Sequence, residues 1–181
     1  MEIEVLRLSH RLPRDERIST HVALVARAFG AKMIAYAGQH DSGLEDSVVR
    51  ICERWGGKST GSDASFSISY VKSAIPFIKA KKREGFAIVH LTMYGLPVDG
   101  AAEAIRARER VLLVVGSEHV PPEVYHLADF NISVTNQPHS EVAALAITLD
   151  RLMKGAELDK RDFGGKVRII PAGCGKNVEE G

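Results

Sequence analysis

The sequence predicts an α/β fold with a mainly parallel sheet flanked by helices, and three observations carry the prediction. Val111 to Val115 are five apolar residues in a row, the pattern of a strand buried on both faces. Strand-like and helix-like patterns alternate over the whole length. Two polar loops marked by Gly or Pro, opening at Gly116 and at Asn136, leave the same ends of two strands, which is where open α/β sheets bind ligands.

In chain order, residues 2–8 alternate and read as the first strand. A polar loop follows at residues 9–19, holding Arg11, Arg14 and Arg17, with Arg7 and His10 beside it. Thr20 reads as the N-cap of a helix over 21–29, and Gly30 as its C′ residue. An apolar strand at 32–37 leads into a loop at 38–43. Leu44, Val48, Ile51 and Trp55 fall at spacings of four, three and four, an amphipathic helix stopped by Gly56 and Gly57. Residues 65–71 alternate as an edge strand. A basic helix covers 73–84, with Pro76 tolerable in its first turn. A buried strand at 86–92, a loop at 93–97 and a helix at 99–109 precede the apolar run. After it, Pro121 at N1 starts a short helix, 131–135 is a strand, and 140–153 is a helix. That last helix is apolar nearly all the way round, so it is expected to be buried on more than one side, as in a homodimer interface. Residues 166–170 read as one more strand. No linker divides the chain, so 1–181 reads as one domain, with 156–181 a C-terminal extension.

The bulk numbers narrow the function classes. The 181 residues suffice for a sizeable core, and 45% hydrophobic with 26% charged is ordinary for a globular protein. A net charge of +1 is low for gripping RNA through bulk charge, so an RNA partner requires the positive charge in a patch. Cys52 and Cys174 are far apart and suggest no disulfide framework. The start, MEIEVLRL, is not a signal peptide, and no stretch reaches the ~20 apolar residues of a membrane span, so the expected location is the cytoplasm. The histidines are dispersed, without C-x-x-C or H-E-x-x-H, and no metal site is expected. G-x-G-x-x-G after the first strand and the P-loop motif are both missing, which disfavours a dinucleotide or nucleoside triphosphate site.

Taken as residues alone, GSEHVP at 116–121 is a strand-to-helix turn, and 135–140 an Asx-type turn with Ser140 as N-cap. Arg7, His10, Arg11, Arg14 and Arg17 lie within eleven positions and suit phosphate contacts, although Asp15 and Glu16 could neutralise two of them. Lys79 to Arg83 read as a solvated helix face, and Arg27 as a snorkelling helix residue.

Three stretches, GSEHVP, NQPHSEVAALAI and RDERISTHVALVARAFGA, resemble motifs of the SPOUT methyltransferases. Within that superfamily they are most similar to the archaeal tRNA ribose 2′-O-methyltransferases that act on cytidine 56 of the T loop. The resemblance implies a deep C-terminal trefoil knot, which the rarity of knots would otherwise argue against. It implies S-adenosylmethionine as cofactor and tRNA as partner. The implied cofactor pocket takes Leu91 and Thr92 from one strand end, then Gly116, Ser117, Glu118, His119 and Val120. The third wall is Ile132, Val134, Thr135, Asn136, Gln137, Pro138, His139 and Ser140. The arginines at 7, 11, 14 and 17 become the implied RNA contacts. Related enzymes carry an Asn and, six residues on, an Arg essential for transfer. His21 stands at the Asn position here and Arg27 at the Arg position. Arginine stays protonated, so Arg27 would position the ribose hydroxyl and lower its pKa. The proton would pass to a phosphate, to water or to His21, whose unperturbed pKa of ~6.5 suits a base. The alternatives are a ribose methyltransferase for another RNA and a non-catalytic RNA- or nucleotide-binding module.

Overall fold

The computed structural model describes residues 1–57, 65–116, 119–159 and 163–181. Strands and helices alternate through β1 (Glu2–His10), α1 (Glu16–Ala28), β2 (Met33–Gly38), α2 (Ser42–Trp55), β3 (Ser67–Val71) and α3 (Ala74–Arg83). They continue through β4 (Ala87–Pro97), α4 (Val98–Arg106), β5 (Arg110–Val115), α5 (Pro122–Leu127), β6 (Phe130–Ser133) and α6 (Glu141–Met153). A short 3₁₀ turn (Ala156–Asp159) and a separate antiparallel hairpin of β7 (Val167–Ile170) and β8 (Asn177–Glu180) follow. The main sheet has the order β3-β2-β1-β5-β4-β6, and every pairing in it is parallel.

β5 lies between β1 and β4, and Val111 to Val115 are at most 1% exposed, as an unbroken apolar run requires. Alternate side chains feed two cores. Val111 and Leu113 join α1, α2, α4 and α6 on one face, while Leu112 and Val114 join α3 and α5 on the other. Each helix must therefore return the chain from the end of one strand to the start of the next. The end of α1 shows this: Lys32 N–H donates to Ile3 O, at the beginning of β1. The sheet thus has two poles, one where strands end and one where they begin.

Several boundaries differ from the sequence reading. β1 runs on to His10, so Arg7 and His10 are strand residues rather than part of a loop. α1 begins at Glu16, and Thr20 does not cap it. Inside the helix its Oγ1 donates to Glu16 O at 2.9 Å, the usual recourse of a mid-helix threonine. Gly30 does end the helix, at φ +88°, a conformation that suits glycine. β6 stops at Ser133 instead of residue 135. β4 does not stop at 92. It bulges, so that Leu91 and Leu96 both pair with Ile132, and residues 92–95 loop out at the strand-end pole.

The apolar surface of α6 is largely consumed within the chain. Ala144, Leu145, Leu149 and Leu152 belong to the core shared with α1 and α4, and Leu145 and Leu149 are 0% exposed. What remains outward is Ala143 and Ile147, the latter 42% exposed. Among the described residues no helix is long and apolar enough to cross a membrane.

Candidate functional site

A cavity of about 420 Å³ opens at the strand-end pole, between the ends of β4 and β5 and the start of α6. Its volume lies within the ~300–1,000 Å³ of small-molecule sites. Leu91, Thr92, Gly116, Val120, Pro138 and His139, all expected from the sequence, line it. The approach at Gly116 is tight: a Cβ there would meet Val120 Cγ2 at 2.8 Å.

The other expected residues that the structure describes sit around this cavity rather than in its wall. Ile132 is buried at 1%, beside the bulge of β4. Asn136 ties two loops together, its Nδ2 donating to Met93 O at 2.6 Å and to Gly95 O at 3.1 Å. Gly95 packs so closely on β6 that a Cβ would meet the Ile132 backbone at 2.6 Å. Ser140 caps α6, accepting from Val142 N–H at 3.2 Å. His139 Nδ1 donates to Gln137 O at 2.6 Å. Val134 is half-buried, while Thr135 and His119 are exposed. Ser117 and Glu118 lie outside the described residues.

Sequence reasoning missed His90, Met93, Tyr94, Val115, Tyr125, Glu141 and Ala144, which complete the lining. His90 is the most informative. It is 0% exposed, and its Nδ1 faces Asn131 Oδ1 at 2.9 Å. Asn131 Nδ2 donates to the Tyr125 carbonyl, so its Oδ1 must accept and His90 Nδ1 must carry the hydrogen. Nε2 is then a buried acceptor, without a partner among the described residues. Burial holds the imidazole pKa below its ordinary value, which keeps the ring neutral. A pocket wall with an unused acceptor suits a ligand that brings a donor.

The arginine group divides. Arg7 is 1% exposed, and Nε and Nη2 donate to Glu141 Oε1 at 3.1 and 2.9 Å. A buried, paired strand residue cannot serve as the phosphate contact expected of it. The period-two pattern already held this signal, since residue 7 shares a strand face with Ile3 and Val5. Arg11 donates from Nε to Asp15 Oδ2 at 3.1 Å, one of the neutralising pairs foreseen. Burial pushes the Asp15 carboxyl up, but the Arg11 and Arg7 contacts outweigh it and hold the pKa below its usual value. Arg14 and Arg17 are exposed, and Arg17 borders a cleft between α1 and the start of α2.

The two expected catalytic residues are not at the cavity. His21 is exposed in the second turn of α1. Arg27 stands in the last turn of α1, at the pole where strands begin. It is 8% exposed, and its guanidinium donates from Nε to Gly56 O at 2.9 Å and from Nη2 to Trp55 O and Gly56 O at 2.6 Å each. It also lies over the Phe163 ring at 4.8 Å. Those carbonyls end α2, so within one protomer Arg27 caps a helix and does not reach reacting atoms.

One more polar cluster invites a chemical reading. His10 Nδ1 is 2.7 Å from Ser19 Oγ and His10 Nε2 is 3.2 Å from Asp41 Oδ2. Ser19 is 1% exposed, so no substrate reaches its hydroxyl. Asp41 caps α2 through Leu44 N–H, and the Tyr36 hydroxyl, its pKa pushed up to about 12 by burial, donates to Glu45 Oε1. This network joins β1, β2, α1 and α2 in the interior.

Comparison with known proteins adds the family context. The family described as "tRNA ribose 2'-O-methyltransferase, aTrm56" matches residues 55–179. A protein of Nitrosopumilus maritimus named tRNA (cytidine(56)-2'-O)-methyltransferase is 48% identical over 179 residues, 99% of this chain and 97% of the relative. One of the same name from Methanothrix thermoacetophila is 51% identical over 178 residues, 98% and 97% of the two chains. Among solved structures, the TrmH/SpoU tRNA modifying enzyme of A. aeolicus superposes with a TM-score of 0.61 at 16% identity, covering 87% of this chain and 77% of that one. An AdoMet-bound rRNA methyltransferase from Sinorhizobium meliloti gives 0.62 at 18% identity, covering 84% and 56%. At these identities the likeness is one of fold.

Proposed function

Because the chain belongs to the tRNA ribose 2'-O-methyltransferase family, aTrm56, we propose that it transfers the methyl group of S-adenosylmethionine to the 2′-hydroxyl of cytidine 56 in the T loop of tRNA. The observation that carries this is the extent of the similarity. Relatives of that name match at 45–51% identity over 97–99% of the chain, a span that includes every loop around the cavity.

S-adenosylmethionine supplies a methyl group already activated on a sulfonium centre. The chain's own part is to hold it, to orient the ribose and to shield the site. The cavity suits the holding role: its volume is about 420 Å³, Gly116 lets backbone approach the ligand, and His90 Nε2 offers an acceptor. The loops at 92–95 and 134–140 enclose it and are cross-linked through Asn136; the deep C-terminal trefoil knot belongs to this reading through the family alone. Arg14 and Arg17 are exposed cations near the ends of β1 and β2, the same pole as the cavity, and they are the phosphate contacts of this reading. His21, exposed on α1, is the side chain that the family resemblance offers as acceptor of the hydroxyl proton, with RNA phosphate or water as the alternatives. The chain works as a homodimer in the cytoplasm. Its interface includes Ile147 and Leu158, 42% and 66% exposed on and just after α6.

The test is to incubate the protein with unmodified tRNA and S-adenosylmethionine and to map the product by mass spectrometry. A single ribose methyl on cytidine 56 is expected. Transfer to another nucleotide redirects the substrate, and cofactor binding without transfer makes the protein a non-catalytic module.

A further inference from the structure

We propose that Glu141 anchors the α-ammonium group of S-adenosylmethionine and that Arg7 positions it for that task. The proposal rests on the cavity being the cofactor pocket.

Glu141 is the first residue of α6 and lines the cavity. Among the described residues that line it, Glu141 supplies the one carboxylate, and no lysine or arginine is present. The cofactor has a cationic ammonium on its amino-acid end, so this carboxylate is the complementary charge. Its place also fits. The Glu141 side chain is 18% exposed, next to the exposed Pro138 and His139, so it stands at the wet mouth of the cavity. The deeper wall is formed by Leu91, Val115 and the neutral His90, which suits the uncharged end of the ligand.

Arg7 determines which oxygen is available. Both of its bonds fall on Oε1, and Oε2 has no partner among the described residues. Arg7 itself is pinned in β1, between Tyr36 of β2 and Val115 of β5, and is 1% exposed. A planar fork on a rigid strand holds Oε1 in place and leaves Oε2 for a second cation. It also explains why a fully charged group sits inside β1, where phosphate cannot reach it.

The ligands that separate this role from a structural one are S-adenosylmethionine, S-adenosylhomocysteine and 5′-methylthioadenosine. The first two carry the α-ammonium, the third lacks it, and all three share the adenosine. Titration calorimetry of Glu141→Gln should show about tenfold weaker binding of the first two, ~1.4 kcal/mol, with less than a twofold change for methylthioadenosine. Arg7→Lys, if it folds, should give a smaller loss with the same selectivity. Equal losses for all three ligands would overturn the proposal in favour of a ribose contact or a structural role, and unchanged affinities would overturn it outright. Absence of binding by the unaltered protein would instead remove the pocket reading beneath it.

Discussion

The two poles of the sheet treat a buried arginine differently. At the pole where strands begin, Arg27 spends its guanidinium on two carbonyls that end α2 and on the face of Phe163. At the pole where strands end, Arg7 donates to one oxygen of Glu141 and lies 3.9 Å from Asp15 Oδ2, while its Nη1 is buried with no hydrogen-bond partner among the described residues. His90 Nε2 is also left over there. Satisfied polar groups stabilise a fold, whereas leftover ones cost stability and are the natural place for a ligand. The contrast teaches that a buried charge marks a site only when its bonding capacity is incompletely used.

The comparison can be broken most severely at α6. Leu145→Glu places a charge at a 0% exposed core position and should prevent folding, at a cost above ~4 kcal/mol. Ile147→Glu should leave a folded chain that light scattering finds as a monomer. A folded Leu145→Glu protein, or an Ile147→Glu dimer, would contradict the assignment of inner and outer faces.

Next in size is Arg27→Ala. It leaves two carbonyls short of donors and should lower unfolding free energy by about 3 kcal/mol in urea titration. Arg27→Lys should recover only part, because one ammonium cannot reproduce the fork. A loss below ~1 kcal/mol would argue against the capping role.

The titration behaviour of the buried histidines sharpens the contrast further. Burial lowers the folded-state pKa of both His90 and His10 below 6.5. In the unfolded chain they take up protons first as pH falls, so stability should hold above pH ~7 and decline through 6.5 toward the lower folded-state values. His90→Gln should flatten that decline, as read from urea midpoints between pH 8 and 5. A slope unchanged by the substitution would assign the dependence elsewhere. The smallest effect belongs to the surface: Arg14→Ala and Arg17→Ala should each reduce the salt slope of tRNA binding by about one phosphate contact. Arg11→Ala should change it less, because Asp15 already holds that side chain.

Much of this architecture was legible. The β5 run, the Gly116 turn and the Ser140 cap come straight from apolar runs and local backbone chemistry. The parallel direction of the strands follows from alternation, although their order does not. The start of α1 was obscured because residues 16–20, ERIST, contain a serine and a threonine that favour caps and a β-branched isoleucine. The β4 bulge depends on contact with Ile132, which lies some forty residues away in the chain. His90 and Glu141 were hidden for the same reason, since their roles come from Asn131, Tyr125 and Arg7 across the sheet. β8 has four exposed residues and no periodic signal. Arg27 is a different case. The resemblance, not the local pattern, suggested chemistry there, and within one protomer a helix that follows a strand in a parallel sheet ends at the opposite pole from the strand ends.

The two-pole account is tested most directly by titrating S-adenosylmethionine into Gly116→Val and Arg27→Ala side by side, at a temperature where both are folded. Gly116→Val drives a side chain into Val120 and should raise the dissociation constant at least about tenfold. Arg27→Ala should bind the cofactor as the unaltered protein does, because within one protomer Arg27 lies at the opposite pole from the cavity. Unchanged affinity in Gly116→Val, or a folded Arg27→Ala protein whose cofactor affinity falls about tenfold or more, would contradict the account.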